Sequence, residues 1–192
     1  MKETILISFI MIIIYIFLFV NRNNVVYIES NTGTKFLVHK DNDKLEKANL
    51  LGELVEKLYQ LKNHLKKNSS SFPEYKNYID LLDNNFKEDR TIIYETDPES
   101  TLTSYSVNKG EEISFCLRSK KTTKLHDLNL LMYVGIHELS HIGCPEIGHG
   151  ELFKKVFKFF TQEAINIEIY KRVDYSISPV EYCGMILSSS II

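Results

Sequence analysis

The chain has 192 residues, of which 44% are hydrophobic, and its formal net charge is −2. This length and composition suit one globular domain with an appendage, and the absence of a lysine and arginine cluster argues against a nucleic-acid-binding surface. The three cysteines, an odd number without paired spacing, agree with a reducing compartment.

An apolar run stands near the start of the chain. Residues 5–20 carry no charge and contain only one clearly polar side chain. As a helix this run would be roughly 24 Å long, somewhat short of the ~30 Å hydrocarbon core of a bilayer, and Lys2 and Arg22 could reach the two interfaces. Because no small-x-small cleavage site follows, the sequence favours an uncleaved transmembrane anchor at residues 1–22, with bilayer contact through residues 4–21, over a signal peptide.

The charges on either side of this run bear on its orientation. Lys2 and the N-terminal amine precede it, whereas Arg22, Lys35 and Lys40 follow it. Under the positive-inside rule, this distribution leans towards a cytoplasmic position for the rest of the chain. The sequence therefore predicts a single-pass membrane protein whose domain, residues 23–192, lies on the reducing, cytoplasmic side.

Two short strands and two helices are predicted over the first part of the domain. The strands, residues 25–29 and 35–38, flank a turn and would form a hairpin. Apolar residues at helical spacing predict an amphipathic helix over residues 44–66. Pro73 suits the first turn of another helix, which would end near Phe86.

After residue 90 the pattern changes to that of a sheet. Strands are predicted at residues 91–95, 102–107 and 112–118. They would form a small mixed or antiparallel sheet in front of the following helix. The edge strand, at residues 104–107 or 114–117, could pair with an extended polypeptide by strand addition.

A short motif, H-E-x-x-H, lies on a helix predicted to begin at Leu128. Its two histidines, His137 and His141, are four residues apart and therefore face the same side of that helix, where one metal ion can take both imidazoles. Glu138 projects beside the metal, where its carboxylate can take a proton from a water that the metal activates. The motif predicts a zinc site of the kind found in hydrolases.

A catalytic zinc ion usually has three protein ligands, so a third ligand is expected. His149 follows the helix and stands between Gly148 and Gly150, which allow a sharp turn of the backbone. Cys144 and Glu163 are alternative ligands: the thiol falls near the same helical face as the two histidines, and the carboxylate belongs to the next predicted helix.

The last part of the chain contains one more predicted helix and an ordered terminal segment. An apolar stripe at helical spacing indicates the helix, and lysines lie on its other side. The stripe consists of Phe153, Val156, Phe157, Phe160, Ala164 and Ile167. Tyr182, in the terminal segment, is a candidate hydrogen-bond donor to the oxyanion of a hydrolytic reaction, with packing in the core as its alternative role.

Residues 110–160 resemble the WLM metallopeptidases, which are relatives of the SprT and Spartan proteases. In that pattern a strand ending in arginine, here Arg118, precedes the H-E-x-x-H helix, and a downstream histidine followed four residues later by phenylalanine, here His149 and Phe153, opens another helix. The resemblance implies zinc bound by His137, His141 and His149, with Glu138 as the general base. It also implies an α+β, zincin-like minimal metalloprotease fold, in which a small sheet packs on the H-E-x-x-H helix and its flanking helices. Here one transmembrane helix would precede that domain.

The sequence thus predicts a membrane-anchored, zinc-dependent endopeptidase that acts on polypeptide substrates. A membrane-tethered binding or structural protein with a retained metal site is an alternative. Glu138 argues against this alternative, because a structural zinc ion has no use for a base beside an open position. Another zinc-dependent amide hydrolase is a closer alternative.

Overall fold

The computed structural model describes the backbone of residues 2–22 and 24–192, and the side chains of residues 6–16 and 24–192. In chain order the helices and strands are α1 (Lys2–Arg22), β1 (Val25–Glu29), β2 (Lys35–His39), α2 (Lys44–Lys67), a 3-10 turn (Ser69–Ser71), α3 (Lys76–Asn85), β3 (Ile92–Glu95), β4 (Tyr105–Val107), β5 (Glu112–Phe115), α4 (Leu128–Gly143), α5 (Glu151–Asn166), β6 (Val180–Tyr182) and β7 (Met185–Leu187). The described part of the chain is an α+β protein.

The N-terminal apolar run forms α1, but the predicted membrane anchor is wrong. None of the described helices is long and apolar enough to cross a membrane. The predicted fold therefore loses its transmembrane helix. The predicted single-pass location, with a cytoplasmic domain, is also wrong. Lys2 and Arg22, on which the predicted orientation depends, have side chains outside the described residues.

The five-stranded sheet is mixed and has the strand order β1-β2-β3-β5-β4. The pairs β1/β2 and β4/β5 are antiparallel, whereas β3 runs parallel to both β2 and β5. The turn between β4 and β5 uses positive φ angles at Asn108, Lys109 and Gly110 (47°, 57° and 105°). Of the two predicted edges, the structure places the first, at β4, on the border of the sheet, while β5 is interior.

The helices pack on one another and on this sheet. Helix α2 confirms the predicted amphipathic helix and ends one residue later. Helix α3 begins at Lys76 and not at Pro73, because residues 73–75 form a turn before the helix. Helix α4 is buried over most of its length and lies close to α2 at Gly135, where an added Cβ would be 3.0 Å from Leu58.

The C-terminal hairpin, β6–β7, is joined to the main sheet by a disulfide between Cys116 and Cys183, 67 residues apart in sequence. The cysteine spacing predicts no pair, in agreement with a reducing compartment, but two of the three cysteines form this disulfide and the third, Cys144, is free and buried. The partners come from the end of β5 and from the β6–β7 turn, and their pairing depends on tertiary contacts that cysteine spacing does not encode.

A buried ion pair connects α2 to the sheet. The Lys47 side chain is only 1% exposed, and its ammonium lies 2.7 Å from a carboxylate oxygen of Glu95, whose side chain is 4% exposed. Glu95 also accepts a hydrogen bond from the backbone N–H of His39, and Asp41 completes the partners of Lys47. Because both charges of the Lys47–Glu95 pair are removed from water, each depends on the other.

We expect Lys47→Met to reduce the free energy of unfolding by about 3–5 kcal/mol, because it keeps the apolar stem but leaves the Glu95 carboxylate buried without its cation. Denaturant unfolding followed by circular dichroism measures the change. Lys67→Met, at the exposed end of the same helix, is the control and should change stability by no more than about 0.5 kcal/mol. Equal stabilities for the two variants would show that the buried pair contributes nothing.

Candidate metal centre

Helix α4 presents the H-E-x-x-H motif at its C-terminal half. The helix begins after Asp127, whose carboxylate accepts a hydrogen bond from the Leu130 N–H at 3.0 Å. It ends at Gly143, where a larger residue would press on the Phe160 ring at about 3.0 Å. These two constraints and the burial of the apolar face fix the axial position of the motif.

Three imidazoles converge at this end of α4. The Nε2 atoms of His137, His141 and His149 are separated by 3.1 Å (137–141), 3.2 Å (141–149) and 3.0 Å (137–149). His149 reaches the other two because the chain turns at Gly148, whose φ is +86°, immediately before α5. The three side chains form one of the two groups of potential metal ligands found among the described residues.

The donor set fits a zinc ion. Tetrahedral coordination with Zn–N bonds of 2.0–2.1 Å separates neighbouring nitrogens by about 3.3 Å, close to the separations observed here. The pKa of His137 is lowered to about 3, mainly by burial and to a smaller extent by the positive charges of His141 and His149. The pKa of His141 is lowered to about 4, again mainly by burial and then by the charges of His149 and Lys109. Both imidazoles are therefore neutral at neutral pH, which is the form that binds a metal ion.

The Phe153 ring supports all three histidines. It is 2% exposed, and its centroid lies 4.9 Å from the ring of His137, 4.3 Å from that of His141 and 4.9 Å from that of His149. Because one rigid aromatic ring contacts each imidazole, it limits their rotation. This contact gives a physical reason for the phenylalanine in the sequence pattern.

Lys109, which sequence reasoning missed, holds the loop that carries His149. Its ammonium donates hydrogen bonds to the backbone carbonyls of His141, Cys144 and Glu146, at 3.0, 2.6 and 2.9 Å. A cation at the C-terminus of a helix satisfies carbonyls that lack helical partners and interacts favourably with the helix dipole. The only sequence signal was the position of Lys109 in the β4–β5 turn.

The Glu138 carboxyl group lies between the helix and the sheet edge. It is 4% exposed, and burial raises its pKa to about 7, against opposing hydrogen bonds from the side chain and backbone of Ser106. A carboxyl group with a pKa near neutrality can accept and release a proton at working pH. Ser106, on the edge strand β4, was not singled out in the sequence.

The structure places Tyr182 near Glu138 but beneath the protein surface. Its side chain is buried, and its hydroxyl is hydrogen-bonded to the hydroxyl of Ser104. Burial first, with a smaller contribution from the charge of Glu138, raises the pKa of Tyr182 well above its ordinary value, so the hydroxyl stays protonated. Its position beside Glu138 is compatible with both a packing role and a hydrogen-bonding role in catalysis, and the catalytic role stays a prediction.

The two alternative third ligands lie elsewhere. The Glu163 carboxylate is 2.8 Å from Nε2 of His64 and accepts a second hydrogen bond, also at 2.8 Å, from the Asn166 amide, so it connects α5 to α2. Cys144 is fully buried at the end of α4. The geometry therefore favours His149 as the third ligand.

A cleft of about 800 Å³ opens over the three histidines and Glu138. Helix α4 forms its floor, the edge strand β4 forms one side, and residues 147–149 with the β6–β7 hairpin complete it. An extended polypeptide can enter such a cleft along the edge strand.

The described fold is similar to two crystal structures of Wss1 from Saccharomyces cerevisiae. The first has a TM-score of 0.51 and 21% sequence identity, with 69% of this chain and 88% of that chain covered. The second, a Wss1 mutant, has a TM-score of 0.50 at the same identity, with 69% and 89% covered. The likeness shows a WLM-like, α+β fold, as the sequence resemblance implied.

The chain belongs to the family of the uncharacterized protein R325 of Acanthamoeba polyphaga mimivirus, to which it is 42% identical over 167 residues, or 86% of this chain and 84% of that one. It is also similar to the uncharacterized protein 136R of Invertebrate iridescent virus 6, with 31% identity over 83 residues, 42% of this chain and 46% of that one. The uncharacterized protein 042R of Invertebrate iridescent virus 3 is 37% identical over 62 residues, 32% of this chain and 38% of that one. No family model matches the sequence.

We expect His149→Ala to weaken zinc binding by more than roughly 100-fold, because it removes a nitrogen donor. Loss of a residue that only supports a ligand typically costs roughly 10–100-fold in metal affinity. Cys144→Ser, the control, should leave the affinity almost unchanged. Competition with a chromogenic chelator measures both. The opposite ranking of the two variants would transfer the third ligand to Cys144.

Proposed function

We propose that this protein is a zinc-dependent endopeptidase that hydrolyses polypeptides. The observation that carries the proposal is the position of the Glu138 carboxyl group beside three converging imidazole nitrogens, in a cleft bordered by a sheet edge. The Wss1-like fold supports it, because it agrees with the sequence resemblance to the WLM metallopeptidases.

The residues of the centre divide the chemistry between them. His137, His141 and His149 would hold the zinc ion, which, when bound, supplies a Lewis acid that polarises a peptide carbonyl and increases the acidity of water. A carboxylate oxygen of Glu138 accepts a proton as the oxygen of water attacks the carbonyl carbon. The same carboxyl group then delivers that proton to the leaving nitrogen as the C–N bond breaks.

The edge strand β4 is suited to align the substrate. One side of β4 pairs with β5, and the strand borders the cleft on the side of Glu138. Backbone pairing with an extended chain is largely independent of side chains and would fix the direction of the substrate. The hydrogen bonds from Ser106 to Glu138 connect this strand directly to the base.

We expect Glu138→Gln to lower kcat for peptide cleavage by about 10²–10⁴-fold, because glutamine keeps the size of the side chain but cannot accept the proton. Zinc content and thermal stability should be retained, since Glu138 is not placed as a ligand. Cleavage of a fluorogenic peptide and metal analysis measure these two effects separately. Full activity in this variant would contradict the role of the base, and loss of zinc would make the residue structural.

Tyr182→Phe separates the two roles of this tyrosine. If its hydroxyl donates a hydrogen bond to the developing oxyanion, kcat should fall by about 10²-fold or more with little change in KM. Ser104→Ala is the control, because it removes the hydroxyl's partner but keeps the tyrosine. A kcat within a few-fold of wild type in Tyr182→Phe would show that the residue only packs.

A further inference from the structure

The C-terminal hairpin presents one face to the cleft. Strand β7 pairs with β6 in the register Tyr182 opposite Met185 and Val180 opposite Leu187. Residues directly opposite each other share a face, and successive residues along a strand face opposite sides. In agreement with this rule, Tyr182, Met185 and Leu187 line the cleft, while Ile186 is 51% exposed on the other face of the strand.

The cleft near this hairpin is apolar. Met185 is 45% exposed, and Ile147, across the histidine centre, is 95% exposed. Tyr133 and Val134 also line the cleft, one turn before His137 on α4. Large apolar side chains that face open space in a cleft favour a ligand that covers them with apolar surface of its own.

The hairpin depends on contacts outside itself for its position. A two-stranded hairpin alone is at best marginally stable in water. The contacts that attach it to the region around the sheet edge include the Cys116–Cys183 disulfide, the Tyr182–Ser104 hydrogen bond, and a hydrogen bond from the Ser119 side chain to the Glu181 carboxylate. Of these, only the disulfide is covalent, and reduction can break it.

We propose that the β6–β7 hairpin is a specificity wall, in which Met185 and Leu187 select a large apolar side chain beside the scissile bond and the Cys116–Cys183 disulfide holds the wall against the cleft. The selection rests on the proposed endopeptidase function. The disulfide attaches the wall to the end of β5, which pairs with the edge strand β4, so the wall and the strand that would align the substrate are anchored to the same part of the sheet.

The turn at Cys183 allows the bridge to be removed without removing the turn. Cys183 and Gly184 have φ angles of 51° and 94°, positive at both central residues as in a type I′ turn. Asparagine followed by glycine is a favoured pair for this turn, whereas cysteine has no such preference. Cys183→Asn therefore suits the local backbone conformation and removes the covalent attachment.

The first experiment measures selectivity with the zinc-loaded full chain and a peptide pool that varies the residues flanking the cleaved bond. Wild type should favour leucine or phenylalanine over serine or aspartate at one flanking position. Met185→Ser and Leu187→Ser should each reduce this ratio of kcat/KM by at least about tenfold. Ile186→Ser, on the opposite face of β7, is the matched control and should keep the ratio of wild type.

The outcomes of this experiment are distinct. A wild-type protein that cleaves no peptide would contradict the proposed function. Cleavage with a selectivity that Met185→Ser and Leu187→Ser leave unchanged, or that Ile186→Ser changes equally, would contradict only the specificity wall.

The second experiment tests the attachment by reduction with a phosphine, which introduces no competing thiol ligand for zinc. The phosphine and one water molecule break the S–S bond: each sulfur gains a proton and becomes a thiol, and the phosphine becomes its oxide. Reduction should increase hydrogen exchange of amides 180–187 and lower apolar selectivity to the level of Cys183→Asn. Zinc content should not change.

Cys183→Asn is also the control for this reduction, because the reductant should have no further effect on it. Unchanged exchange of the hairpin amides and unchanged selectivity after reduction of wild type would overturn the proposed role of the disulfide.

Discussion

The convergence of three imidazole nitrogens on one point is the constraint on which the rest of this structure depends. The three Nε2 atoms lie 3.0–3.2 Å apart, and burial lowers the pKa of His137 and of His141, so the groups packed around the rings must hold them in place. The support is visible: α4 is buried and capped, Phe153 contacts each ring, and Lys109 fixes the loop from the end of α4 towards His149.

One physical cause, desolvation, acts on both parts of the centre with opposite signs. Burial lowers the pKa of His137 because the charged imidazolium is disfavoured, and it raises the pKa of Glu138 because the carboxylate is disfavoured. The result is neutral nitrogen donors beside a carboxyl group that can hold a proton near neutral pH. The same packing of sheet on helix therefore prepares the ligands and the base.

The two corrected interpretations have a common origin in local pattern. An apolar run predicts a helix, and the helix α1 is present, but spanning a membrane is a condition on length and apolarity that none of the described helices meets. The count and spacing of the cysteines indicated no disulfide, because they do not show which thiols meet in the fold. Cys116 and Cys183 do meet, because the terminal hairpin returns to the end of β5.

The sequence by itself determined the parts of this protein that depend on short-range order. Helical spacing put His137 and His141 on one face, apolar periodicity placed α2, and glycines beside His149 indicated the turn that brings it back. Only the tertiary structure decided which candidate partner lies beside the motif: it brings His149 to the histidine pair and engages Glu163 with His64. It also decided the roles of Lys109, Ser106 and the disulfide-linked hairpin. Their contacts join segments far apart in the chain, and no local propensity specifies which distant groups will meet.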